Sequence, residues 1–93
     1  MILTIDNLLV RDAEPTAVVL DDNIVLLSMR AGSYFDLNRV ASEIWKMLAE
    51  PCRVDRIFDR LSEMYYVDTE TLSRDVTPFL AVLAQHRLVR VIK

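Results

Sequence analysis

The hydrophobic pattern of this chain changes period once, near Asn38. Upstream, Thr16 to Leu20 and Asn23 to Met29 are dense in β-branched and aliphatic residues, the mark of strands. The Asp21-Asp22-Asn23 stretch between them carries residues that tolerate a tight hairpin turn, so the two runs are expected to pair antiparallel. After Gly32, which takes a positive φ without steric cost, Ser33 to Leu37 reads as a third short strand. Period two then puts Ser33, Phe35 and Leu37 on one face, with Tyr34 and Asp36 on the other. The first twelve residues, with Ile2, Leu3, Ile5, Leu8, Leu9 and Val10, are too apolar for a free tail. A further strand and an arm both fit them.

From Asn38 the period is helical. Asn38 suits an N-cap, and Val40, Ala41, Ile44, Trp45, Met47 and Leu48 form an apolar stripe that Glu50-Pro51 ends. Val54, Ile57, Phe58, Leu61 and Tyr65 then recur at helical spacing, while Arg53, Asp55, Arg56, Asp59, Arg60 and Glu63 cover the opposite face. A third helix is predicted from Asp68, its N-cap, to about His86, with Glu70 in the first turn favouring the positive end of the helix dipole. Pro78 falls inside it. An interior proline costs about 3 kcal/mol in an unbent helix, which predicts a kink around Arg74 to Pro78. The closing "LVRVIK" reads as a short strand or an apolar plug. The order predicts an α+β fold, a three-stranded antiparallel sheet followed by a three-helix bundle in a winged-helix-like layout.

With 93 residues, 53% of them hydrophobic, the chain is expected to form a single domain spanning 1–93, its core about 16–92. The longest uncharged apolar run, near Ile24 to Met29, is too short to cross a bilayer, and "MILTIDNLLVRD" lacks a signal-peptide pattern. A cytoplasmic protein with no membrane partner is expected. Cys52 stands alone and reads as a half-buried small apolar residue. His86 has no second ligand at helical spacing, and the acidic residues are scattered over turns and solvated faces. No nucleophile motif or phosphate-cradling loop is present, so no enzyme is expected and no catalytic, cofactor or metal residue is named.

The serious competitor is a winged-helix DNA-binding regulator, with the third helix in a major groove. Net charge and local charge oppose it. The chain carries −3, and the third helix holds Asp68, Glu70 and Asp75 against Arg74 alone, the reverse of what phosphates require. On a helical wheel, Val76, Leu80 and Leu83 centre an apolar arc, with Asp75, Phe79, Val82 and His86 at one edge. That arc is wider than one core contact needs. A ledge of this kind beside an open strand edge suits a peptide added as a strand, its backbone hydrogen-bonded and its side chains pocketed. Packing of Phe79 and Val82 on the N-terminal arm is the plainer alternative.

The stretches "GSYFDLNRVASEIWKMLAEP", "VDRIFDRL", "YYVDTETLSRDVTPFLAVL" and "RLV" resemble the PqqD-like family of RiPP recognition elements, and among them the stand-alone leader-recognition subunits of lasso-peptide biosynthesis. The resemblance spans about Val18 to Val91. It implies three antiparallel strands on three helices, and binding of the leader segment of a ribosomally made precursor beside the third strand and against the third helix. The peptide would then pass to a leader peptidase and a cyclase, or to a radical SAM enzyme as a PqqD-type chaperone does. Carried onto this chain, the leader-peptide-binding residues are Ser33, Tyr34, Phe35 and Asp36 on the strand, with Leu72, Asp75, Val76, Phe79, Val82 and Leu83 on the helix. Three departures stand out. Arg53 replaces the family's Thr or Ser cap before the second helix, Arg87 replaces the glycine before the last "LV", and Pro78 is atypical.

Overall fold

The computed structural model describes residues 3–21 and 23–92. The parts of the readings above that fall on Ile2, Asp22 and Lys93 lie outside them. The elements run β1 Leu8–Arg11, β2 Thr16–Leu20, β3 Asn23–Ser28, β4 Ser33–Leu37, α1 Arg39–Met47, β5 Cys52–Arg53, α2 Val54–Tyr65, α3 Thr69–Gln85 and β6 Val89–Ile92. β2, β3 and β4 form the expected antiparallel sheet in that spatial order, with Thr16 opposite Leu27 and Ile24 opposite Leu37. The three-stranded sheet and three helices make the α+β fold that the pattern indicated.

The first twelve residues resolve the open choice in favour of a strand. β1 lies between β5 and β6, antiparallel to both, so the two chain ends and the α1–α2 connection close a second small sheet. The connection to the helices is tight: Arg11 donates its backbone N–H to the Leu48 carbonyl at 2.9 Å, and Asp12 to that of Leu88 at 2.8 Å. Glu14 ties this side to the main sheet by accepting from Ser28 Oγ at 2.8 Å and from the Met29 N–H at 3.0 Å. Gly32, with φ of 65°, makes the turn between β3 and β4.

The helices form where the apolar period placed them. Asn38 caps α1, its side chain accepting the Ala41 N–H at 2.9 Å, and Asp68 caps α3 by accepting that of Thr71 at 2.7 Å. Arg53 makes no such bond at the start of α2. The N-terminal backbone supplies the missing acceptors instead, Asn7 O taking the Val54 N–H at 3.0 Å and Ile5 O that of Asp55 at 3.1 Å. Pro78 lies within α3 on its exposed side, and the helix is continuous from Thr69 to Gln85. The core joins Leu9, Ile24, Leu26 and Leu37 of the strands to Ile44, Trp45, Ile57, Phe58, Leu61, Leu80 and Leu83 of the helices. No helix among the described residues is long and apolar enough to cross a membrane.

Candidate functional site

β4 bonds to β3 on one side and to no strand on the other among the described residues. The N-terminal segment is not on that edge, because β1 is committed to β5 and β6. The edge is therefore vacant, and its side chains follow the expected alternation. Phe35 and Leu37 lie opposite Leu26 and Ile24 on the core face, whereas Tyr34, 69% exposed, lies opposite Leu27 on the outer face.

The chain runs from this edge into α1 with one intervening residue, and a serine fixes the corner. Ser42 is fully buried; its Oγ accepts the Ile24 N–H at 2.9 Å and donates to the Leu37 carbonyl at 3.1 Å. Both bonds fall on the last pair of the β3–β4 ladder, so they pin the strand end to the helix. That register holds a groove of about 370 Å³ open between β4, α1 and α3. Asp36 forms its strand wall, Asn38, Val40, Ala41 and Ile44 come from the corner and α1, and Asp75, Val76 and Phe79 come from α3. The Phe35 ring meets His86 at the end of α3, with ring centroids 5.2 Å apart at 53°. The groove thus has an apolar floor with an exposed carboxylate on either side, from Asp36 and Asp75.

Of the ten residues assigned to leader binding, Asp36, Asp75, Val76 and Phe79 line this groove together, and Phe35 instead meets His86. Val82 is 44% exposed on α3, while Ser33 and Tyr34 are exposed on the strand without lining the groove. Leu72 and Leu83 need correction. They are 7% and 2% exposed, belong to the core and are not among the residues that line the groove. The residues missed were those of α1. Val40 and Ala41 carried helical periodicity, which reads as core, and nothing in the pattern told that the α1 N-terminus would stand between strand and third helix.

Burial is the main cause raising the Cys52 thiol above its ordinary value, and that residue lies on β5, outside the groove. Among the described residues no group of three or more potential metal ligands is found. The edge and groove offer backbone hydrogen bonds and apolar contact, the two things an extended peptide needs.

The family model described as coenzyme PQQ synthesis protein D (PqqD) matches residues 23–89. The chain also resembles the solved structure titled "TbiB1 in Complex with the TbiA(beta) Leader Peptide", with 36% sequence identity and a TM-score of 0.79 over 87% of this chain and 94% of that one. No curated protein sequence matches it. The family match takes in β3, the free strand, all three helices and the start of β6, and the solved relative agrees over nearly its whole length: the chain belongs to the PqqD family.

Proposed function

We propose that this chain is a cytoplasmic, non-catalytic recognition element for the leader segment of a ribosomally made precursor peptide. The leader adds as a strand to β4, places alternate side chains in the groove against α3, and is handed to processing enzymes, the leader peptidase and cyclase of a lasso-peptide pathway. The observation that carries the reading is the vacant β4 edge beside an apolar groove. It gains weight because the relative with TM-score 0.79 was solved holding a leader peptide. The PqqD family match keeps a second recipient in view, a radical SAM enzyme, with the same peptide site.

The test is titration of a fluorescent leader peptide, taken from a precursor encoded beside this chain. Tight, sequence-selective binding with little salt dependence is expected, whereas steeply salt-dependent capture of duplex DNA would favour the winged-helix regulator instead. Phe79→Ala should weaken leader binding by roughly tenfold or more, as expected for a central aromatic anchor, while the thermal midpoint moves less than for a core residue such as Leu80→Ala. Unchanged affinity in Phe79→Ala removes that ring from the site.

A further inference from the structure

The main sheet has a second free edge, and it is built unlike the first. All five residues of β2, Thr-Ala-Val-Val-Leu, are exposed. The strand carries no charge or proline within it, and its register with β3 is unbroken from Thr16 to Leu20. Exposed edges are ordinarily protected by a charge, a proline or a bulge, and β2 has none of these along its length. Val19 shares the face of Ala17, opposite the buried Ile24, yet is 67% exposed because β2 overhangs the helical layer.

Beside the start of this strand lies a cavity of about 390 Å³, lined among others by Arg11, Pro15, Ala17 and Trp45. It holds a cation that has no carboxylate partner among the described residues. The Arg11 guanidinium sits over the Trp45 indole, 5.5 Å from the ring centroid, and donates one N–H to the Trp45 carbonyl at 3.5 Å, but forms no ion pair among the described residues. Asp12, which also lines the cavity, has its carboxylate engaged by the Glu14 N–H at 2.9 Å and by Arg30 at 3.8 Å. The site therefore calls for an outside acceptor, best an anion.

We infer that the occupant of the β2 edge is a second copy of this chain, paired antiparallel about a twofold axis at Val18. Full overlap of the strand sets Thr16 opposite Leu20, Ala17 opposite Val19 and Val18 opposite its own copy. One step further, Asp21 of each copy falls opposite Pro15 of the other, at the rim of the cavity that holds Arg11 and Trp45. Asp21, the first residue of the turn with φ of 56°, is thereby brought to the end of the strand beside Pro15 of the other copy, next to the cavity. Each copy thus supplies the acid that the other lacks, and both Val19 side chains are covered. A six-stranded sheet results, with the two β4 edges left free at its ends. The inference does not depend on what β4 binds.

One strand of five residues from each copy makes a small interface, so the dimer should dissociate on dilution. Sedimentation velocity over a dilution series of the full chain should show a mass rising from 10.7 kDa towards twice that value. Val19→Lys should abolish the rise, with its circular dichroism and thermal midpoint showing that it still folds. Asp21→Asn, which keeps a residue that tolerates the left-handed backbone at φ of 56°, should weaken the dimer by roughly tenfold. The register is read by cross-linking in a Cys52→Ser background. Val18→Cys should form an intermolecular disulfide, because the two copies meet across the axis within disulfide reach, whereas Leu20→Cys should not. A chain that stays monomeric at every concentration, a dimer that survives Val19→Lys, or equal cross-linking at both positions overturns the inference.

Discussion

Arg87 holds φ of 59° immediately after the cap residue of α3, a backbone region that costs a side-chain-bearing residue about 1–2 kcal/mol. It stays there because the helix end is closed around it. The Leu88 N–H donates to the Leu83 carbonyl at 2.9 Å and the Arg87 N–H to that of Ala84 at 3.1 Å, the pair of bonds that defines a Schellman ending. Leu88 and Leu83 are both buried, which adds the apolar contact that usually accompanies the motif. Arg87→Gly should therefore raise stability by roughly 0.5–1 kcal/mol, the relief of strain exceeding the added freedom of the unfolded chain. Urea unfolding of the two proteins measures it. The replacement of glycine by arginine was visible in the sequence, but its consequence was not: propensity argues against a left-handed turn there, and only the two backbone bonds, fixed by where β6 must pair, overrule it. Ser42 was hidden for the same reason. Read by period it is a polar residue on an apolar stripe, and its partners Ile24 and Leu37 lie on strands that one helix face cannot announce.

Among the elements, the two later helices start in different ways, and the difference has consequences. α3 begins on its own residue: the Thr71 backbone N–H, and then the Thr71 hydroxyl, hold the Asp68 carboxyl below its ordinary value of 3.8. A depressed native value means the folded state binds its proton later than the unfolded chain. The cap's contribution is thus complete above the ordinary carboxylate range and is lost as pH falls through the lower, native value. Asp68→Asn keeps a capping oxygen without a proton to gain, so its urea midpoint should fall less between about pH 5 and about pH 2.5 than that of the parent chain. An equal fall in both would detach the acid response from this cap. α2 begins on borrowed groups, the carbonyls of Ile5 and Asn7, reinforced by Arg53 bridging Asp6 at 2.8 Å and Asp55 at 3.0 Å. The second helix was readable from Val54, Ile57, Phe58 and Leu61 alone, whereas its cap lies some fifty positions upstream and has no signature in composition or period.

At the scale of the whole molecule, the two sheets divide the labour of closing the fold. β1, β5 and β6 are short and pair across nearly the full length of the chain, which is why periodicity over a few residues left the N-terminus open between strand and arm and the C-terminus between strand and plug. The β2–β3–β4 meander pairs only neighbours in sequence and was legible throughout. Because the small sheet occupies the N-terminal segment, the edge of β4 is left for something else, and the proposed leader strand has a physical signature that no surface patch would give. An added antiparallel strand exchanges hydrogen bonds with its neighbour at alternate residues, so blocking leader backbone N–H groups one at a time by N-methylation should weaken binding at every second position and leave the intervening ones far less affected. Phe79→Ala should lower affinity for every peptide of that series by a similar factor, since the ring contacts side chains and not the backbone ladder. A flat or aperiodic N-methyl profile, with Phe79→Ala still damaging, would place the peptide in the groove without strand addition; a period of two with no effect of Phe79→Ala would place it on the edge without the groove.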